Sequence, residues 1–358
     1  MRGRQAAVRL RAILAVLAGV LLAAVILIFA AVSCGGPPQA PPRPPRIQRG
    51  IDILWYRNPQ ESAAGIQAQS DRIVAYVQDI GANSIAISFP FYMRDRSASG
   101  VFAGSATPSA ADLAVLADDA AAHGLGVDLR PLLNQKAVGG WRGAIKPNSR
   151  RYWFASYRSF LAPYVAMAAA HRVMGFTVGA ELSSLATDPR WRGLDRWIRT
   201  VYKGELNFSD NWDSFAGGRL GGDVSLQGLD AYFPVPLRDG ATVSELTAAL
   251  DGWLSRAGDI SFPAVLLQEA GIAAQPGAYT HPNTWTRSPA RDMQLQANWY
   301  RAVCDVERSH HMAGLYFWDI DFNQNIVRPN PVTDPPLSFV GRPGAAAIRA
   351  CFDALGRG

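Results

Sequence analysis

The chain has 358 residues, 49% of them hydrophobic, with three cysteines and a formal charge of +6. That length suffices for one large domain or two medium ones, with a large core. Four arginines lie within the first eleven residues, and without them 31 basic residues stand against 29 acidic ones. The remainder is near neutral, which argues against nucleic acid as a partner.

The N-terminal segment has the pattern of an export signal or a membrane anchor. Arg2, Arg4, Arg9 and Arg11 precede an uncharged apolar run, residues 12–32, that is long enough to cross a bilayer. Cys34 follows in a context that loosely resembles a lipoprotein cleavage site, so a lipid anchor and an uncleaved helix both remain open. We expect residues 1–34 to be this signal or anchor, 35–48 a Pro-rich spacer, and 49–358 an exported domain on the extracellular face of the membrane.

From residue 50 onward, short apolar runs alternate with longer helical patterns, as in parallel strands joined by helices. The predicted strands cover residues 50–55, 84–89, 126–131, 176–180, 205–209, 226–233, 263–269 and 314–319. The main predicted helices cover 151–171, 191–201, 290–310 and 344–355, and long loops are predicted at 90–107, 132–149 and 273–289. Eight strand–helix units with no stretch left for a second domain predict a single (β/α)8 barrel with enlarged βα loops.

Several other classes of protein lack support in this sequence. A doubly wound sheet would normally carry a Gly-rich turn after its first strand, but residues 55–59 (WYRNP) contain no glycine. The five histidines show no zinc-site spacing, and a Gly-x-Ser-x-Gly nucleophile motif is absent. We therefore expect neither a dinucleotide, nor a metal, nor another cofactor.

In a barrel of this type the active site lies at the carboxyl ends of the strands. The candidate residues there and in the loop after the third strand are Trp55, Asn134, Trp141, Arg142, Glu181, Asn211, Trp212, Asp230, Tyr232, Glu269 and Trp318. Aromatic rings mixed with carboxylates and amides suit a carbohydrate, which offers C–H faces for stacking and hydroxyls for hydrogen bonds. The pattern therefore favours a polysaccharide or oligosaccharide as the substrate.

Two glutamates end buried strands on nearly opposite sides of the predicted barrel. Glu181 follows the fourth strand and Glu269 lies on the seventh. A retaining glycosidase needs one protonated carboxylic acid and one ionised carboxylate about 5–5.5 Å apart, and no cofactor. In barrels of this kind the fourth-strand glutamate is normally the acid/base and the seventh-strand glutamate the nucleophile.

Each feature also has a purely structural explanation. A glutamate at a strand end can pair with an arginine or hold a loop. Trp141 and Trp212 can anchor loops, and Asp319 with Asp321 can orient the segment after the last strand. The cysteines near the C-terminus, at positions 304 and 351, can form one disulfide or remain buried thiols.

An ordered set of motifs resembles the central part of glycoside hydrolase family 113. They are residues 141–147 (WRGAIKP), 153–157 (WFASY), 176–182 (FTVGAEL), 211–215 (NWDSF), 228–234 (GLDAYFP), 267–271 (LQEAG) and 318–319 (WD). The known members are β-1,4-mannanases of the clan of retaining barrel glycosidases. The resemblance covers most of residues 50–325.

The resemblance implies a role for each matching residue. Glu181 would be the acid/base, Glu269 the nucleophile, and Tyr232 a contact of the nucleophile. Two further pairs are implied in substrate binding: Asn211 and Trp318 in the sugar site, and Trp141 and Arg142 in the substrate loop. Many clan members carry Asn before the acid/base, where this chain has Ala180. This departure leaves open which group holds the sugar 2-hydroxyl.

The leading hypothesis is an exported, membrane-tethered, monomeric retaining β-glycoside hydrolase acting on β-1,4-mannan or a mannose-containing glycan. A catalytically inactive carbohydrate-binding barrel of the cell envelope is one alternative, because a fold alone does not fix a function. Hydrolysis of another β-linked cell-wall glycan or exopolysaccharide is the other. The sequence leaves endo and exo action open.

Overall fold

The structure is a computed structural model that describes residues 40–222, 224, 226–258, 260–284 and 290–357. The expected signal or anchor, residues 35–39 of the Pro-rich spacer and part of the 273–289 loop lie outside these residues. Every helix within them is too short or too polar to span a bilayer. The domain boundaries proposed for the N-terminal region stay predictions.

Eight parallel strands close into one barrel. Each strand pairs with the next in chain order, and the last pairs with the first. They are β1 (Gln48–Leu54), β2 (Ser84–Phe91), β3 (Gly126–Leu133), β4 (Gly175–Ala180), β5 (Glu205–Asn211), β6 (Leu226–Asp230), β7 (Val265–Ala270) and β8 (Gly314–Asp321). The predicted (β/α)8 barrel is confirmed.

Helices connect the strands in the alternation that the sequence predicts. Those in the described residues are α1 (Ala63–Asp79), α2 (Ala110–Ala122), α3 (Arg150–Ala170), α4 (Trp191–Val201), α5 (Trp212–Ala216), α6 (Val243–Leu254), α7 (Met293–His310) and α8 (Pro343–Gly356). The sequence-based prediction omits α6. Its start is nevertheless encoded by a capping box, in which Thr242 accepts from the Glu245 amide while the Glu245 carboxylate accepts from the Thr242 amide.

The strands are buried on both faces, which explains why they read as continuous apolar runs. Every residue of β2, β4 and β7 is buried. Helices cover the outer face of such a barrel and side chains fill its interior, so neither face of a strand meets water.

One interior layer of the barrel is polar. The Oδ2 atom of Asp128 accepts hydrogen bonds from Thr177 Oγ1 (2.9 Å), Gln268 Nε2 (2.9 Å) and Asn207 Nδ2 (3.3 Å). Burial raises the pKa of Asp128 to about 7, partly offset by the hydrogen bond from Thr177. This layer ties together four strands.

A disulfide joins Cys304 of α7 to Cys351 of α8, which settles the alternative that the sequence leaves open. The two helices pack against each other, and the cysteines are separated by 47 positions in the sequence. The bond therefore fixes the last helix to the rest of the barrel.

We expect the double substitution Cys304→Ala/Cys351→Ala to lower the free energy of unfolding by about 2–4 kcal/mol, because the crosslink restricts the unfolded chain. Urea unfolding followed by circular dichroism measures the change. A reductant should destabilise the native protein by a similar amount and leave the double variant unaffected. If the native protein does not respond to the reductant, the disulfide does not contribute as proposed.

Candidate active site

Both carboxylate oxygens of Glu269 are held by hydrogen-bond donors. Tyr232 donates to Oε2 at 2.6 Å, and Arg130 donates from Nη1 to Oε1. Glu269 is buried on β7, and Tyr232 follows directly after β6. Two donors, one of them cationic, fix the orientation of the carboxyl group.

Arg130 lies on β3 and is fully buried, so its charge needs partners inside the protein. Its Nη2 atom donates to both carboxylate oxygens of Asp230 at 2.8 Å, and Ser209 donates to Asp230 Oδ1 at 2.6 Å. Burial alone lowers the pKa of Arg130, but the nearby carboxyls, first Asp230 and then Glu269, more than reverse this and raise it. Asp230 therefore pairs with Arg130 and holds it against Glu269.

Glu181 follows β4 in a backbone conformation that is rare for a side-chain-bearing residue, with φ of +53°. Its amide donates to the Ser209 carbonyl of the neighbouring strand at 2.9 Å, which fixes this turn. The residue is 8% exposed, and its Oε2 atom lies 3.6 Å from Nε of Arg142. The turn thus aims a largely buried carboxyl group into the mouth of the barrel.

The environment of Glu181 favours its protonated form. Burial raises its pKa, Arg142 lowers it and the negative charge of Glu269 raises it, with a net upward shift. The effect of Glu269 shows that the two carboxyl groups lie within electrostatic range of each other. The two carboxyl groups thus differ: the pKa of Glu181 is raised, whereas Glu269 is held by a cation and a hydroxyl donor.

Several of the predicted sugar-binding residues gather around these two glutamates. Asn134 follows β3 and lies 3.5 Å from the Tyr56 hydroxyl, and Asn211 ends β5. The ring of Trp318, on β8, has its centroid 6.0 Å from the Arg130 guanidinium. Trp318 and Asn211 are each 7% exposed, so they lie at the floor of the mouth.

Other predicted residues are placed differently. Trp55 has no exposed surface, because its ring stacks on Phe322 with centroids 3.8 Å apart, so a substrate cannot reach it in this conformation. Trp212 packs edge-on against Trp253 at 5.0 Å, and Trp141 is partly exposed, covering Gly143. Asp230 is paired with Arg130 and has no exposed surface, which makes it a positioning residue.

Asp52 and Tyr56 are missing from the sequence-based candidates, whereas Arg130 lies near the end of the third predicted strand, where site residues are expected. Arg130 and Asp52 are both charged side chains within apolar strands, which signals a buried partner. Asp52 is fully buried and accepts from Ser88 at 2.9 Å. Tyr56, which follows β1, carries no such signal, because a tyrosine in a loop is common on any protein surface.

Comparisons with known proteins agree with this geometry. The family model described as Glycoside Hydrolase Family 113 matches residues 61–330. A solved GH113 β-1,4-mannanase superposes with a TM-score of 0.72 at 19% identity, covering 87% of this chain and 100% of the other. The GH113 β-mannanase AaManA from Alicyclobacillus acidocaldarius, in complex with ManMIm, gives 0.73 at 21% identity, covering 86% and 98%.

A more distant barrel shares the same fold. GH5_18 from Streptomyces cattleya, in complex with Manβ1-4GlcNAc, superposes with a TM-score of 0.55 at 13% identity, covering 86% of this chain and 81% of the other. Among curated proteins no significant sequence match is found. These structural neighbours share the fold, and the family model spans well over half of the sequence. The chain therefore belongs to glycoside hydrolase family 113 and is a glycoside hydrolase.

Proposed function

We propose that the protein is a retaining β-glycoside hydrolase that cleaves β-1,4-mannan or another mannose-containing glycan. The observation that carries this proposal is the contrast between the two glutamates. Arg130 and Tyr232 hold Glu269 at both oxygens, whereas burial keeps Glu181 inclined to protonation. A retaining mechanism needs these two states at the same time.

In the proposed first step, Glu269 attacks the anomeric carbon and Glu181 donates its proton to the departing glycosidic oxygen. The bond to the leaving sugar breaks, and a covalent glycosyl-enzyme forms on Glu269. Glu181, now ionised, removes a proton from water, which displaces Glu269 and releases the sugar with its configuration retained. The spacing of about 5–5.5 Å that this mechanism requires stays a prediction.

The substrate class rests on the structural neighbours. The GH113 neighbours are described as β-1,4-mannanases, and the GH5_18 protein holds Manβ1-4GlcNAc. Trp318 at the floor of the mouth offers a ring for a sugar face, and Asn134, Asn211 and Arg142 offer amide and guanidinium groups for hydroxyls. These groups fit a neutral sugar in the subsite next to the glutamates.

We also propose that the enzyme acts outside the cytoplasm, attached to the membrane through its N-terminal segment. The apolar run at residues 12–32 supports attachment. The disulfide supports an oxidising compartment, because such bonds are rare in the cytosol.

The native protein should release manno-oligosaccharides from β-1,4-mannan faster than it releases products from other β-glycans. The first product should be the β-anomer, since two displacements at one carbon restore its configuration. Proton NMR of the early reaction follows the anomer, and product sizing separates internal from terminal cleavage. An α-anomer formed first would reject the retaining mechanism, and equal rates on cellulose would reject the mannan preference.

The substitutions Glu181→Ala and Glu269→Ala should have different signatures. Without Glu181, hydrolysis of mannan should fall by about 10²–10⁴-fold, since general acid catalysis is lost. A dinitrophenyl glycoside needs no acid, so it should still form the glycosyl-enzyme, and added azide should restore turnover as a β-glycosyl azide. Without Glu269, no glycosyl-enzyme can form. Neither the dinitrophenyl glycoside nor added azide should then yield a product of β-configuration. If azide rescues both variants in the same way, the assigned roles are wrong.

The substitution Arg142→Met should move the alkaline limb of the kcat/KM–pH profile to higher pH. Arg142 lowers the pKa of Glu181, so its removal raises that pKa and keeps the acid protonated at higher pH. The pH profile is measured on a short manno-oligosaccharide, whose departing sugar needs a proton from the acid. Lys146→Met is the matched control, because it removes a positive charge from an exposed position of the same loop. If the alkaline limb of the Arg142 variant is unchanged, Glu181 is not the acid whose titration produces that limb.

A further inference from the structure

Two exposed aromatic side chains lie outside the catalytic mouth. Phe102, in the β2–α2 loop, is 49% exposed, and Tyr152, in the first turn of α3, is 66% exposed. No other large aromatic side chain is as exposed in the part of the chain that the structure describes. Both line the same groove, with a volume of about 600 Å³, between that loop and α3.

The backbone beside these rings is rigidly held. Tyr92 and Phe102 exchange two backbone hydrogen bonds of 3.0 Å, forming an antiparallel bridge. Ser156 of α3 accepts from the Val101 amide at 2.8 Å and donates to the Val101 carbonyl at 3.0 Å. The loop that carries Phe102 is thus fastened to the helix that carries Tyr152. A ligand would not have to order this platform, which lowers the entropic cost of binding.

Tyr92 lies beside both the groove and the edge of the candidate active site. The Tyr92 ring stacks on Phe102 with centroids 6.0 Å apart, and burial raises the pKa of Tyr92 while the nearby Asn134 side chain lowers it. The loop with Trp141 and Arg142 leads directly into α3 and Tyr152. A linear ligand that leaves the mouth past Asn134 can therefore reach Phe102 by way of Tyr92.

The lining of the groove suits a neutral sugar chain. All lining residues are uncharged: Val101, Phe102, Ala103, Tyr152, Ala155, Ser156, Ser159, Phe160, Pro163 and Tyr164. Exposed rings stack on the C–H faces of sugars, and the volume lies within the range of small-ligand sites. The absence of charge from this lining disfavours a polyanion, and the catalytic mechanism makes no use of the groove.

We propose that this groove is a second glycan-binding site. It binds the polysaccharide chain that is being cleaved, at a stretch distant from the bond that lies between Glu181 and Glu269. The proposal rests on the proposed function. Phe102 and Tyr152 act as stacking platforms that retain a long substrate between cleavage events. Short substrates occupy the mouth and do not reach them.

The test uses Phe102→Ala and Tyr152→Ala, singly and together, in the full chain. Binding of soluble β-mannan is measured by affinity electrophoresis with Glu269→Gln also present, which prevents turnover. Each ring removed should weaken polymer binding by about 2- to 10-fold. With Glu269 intact, the variants should lose a similar factor in kcat/KM on the polymer, while kcat/KM on an aryl mannobioside changes by less than about twofold.

Val201→Ala is the matched control, because Val201 is 44% exposed at the end of α4, far along the chain from the groove. It should bind and cleave the polymer like the native protein. Circular dichroism confirms that each variant is folded. Native polymer affinity in the folded double variant would overturn the proposal, as would an equal loss on the short and long substrates. A change of oligomeric mass in light scattering, with polymer binding intact, would instead assign the groove to a second copy of the chain.

Failure of this proposal is distinguishable from failure of the proposed function. If the native protein cleaves mannan and responds to Glu181→Ala and Glu269→Ala, the catalytic function stands whatever the groove does. If the native protein neither binds nor cleaves any β-glycan, both proposals fall together.

Discussion

A single buried cation, Arg130, is the constraint on which the rest of the site depends. A guanidinium group without exposed surface requires carboxylates around it, and it finds them in Asp230 and Glu269. β3, β6 and β7 each supply one member of this cluster. The closed barrel brings these strand ends together, so the charge cluster and the fold require each other. Removal of one member would leave an uncompensated charge in the interior. The members therefore have to be held in fixed positions, which strands provide better than loops.

The sequence predicts the barrel well, because apolar runs locate the strands. The sequence also places Glu181 just after the fourth strand and Glu269 near the end of the seventh, as in the structure, while their catalytic roles stay predictions. It predicts partners across the barrel poorly. Arg130 and Asp230 are 100 positions apart, and only the closed sheet shows that they share two hydrogen bonds.

The exposure of aromatic side chains is also poorly predicted from the sequence. Trp55 and Trp318 both lie at or near the ends of their strands, and the sequence treats them alike. Phe322, four positions after Trp318, stacks on Trp55 and removes it from the mouth, whereas Trp318 keeps some exposed surface. Exposure of a ring depends on which side chain packs over it. That neighbour comes from a loop whose path the local sequence pattern does not determine.

The two glutamates are controlled by different parts of the chain. The donors to Glu269 come from β3 and from the residues just after β6, so the framework of the barrel fixes the orientation of this carboxylate. Glu181 instead has Arg142 beside it, in the long loop between β3 and α3, and Arg142 opposes the upward pKa shift that burial causes. Changes in that loop can therefore shift the pKa of Glu181 without altering the donors that hold Glu269. Since the same loop leads into α3, where Tyr152 lies, the part of the chain that shifts this pKa would, under the two proposals, also border the path of a long substrate.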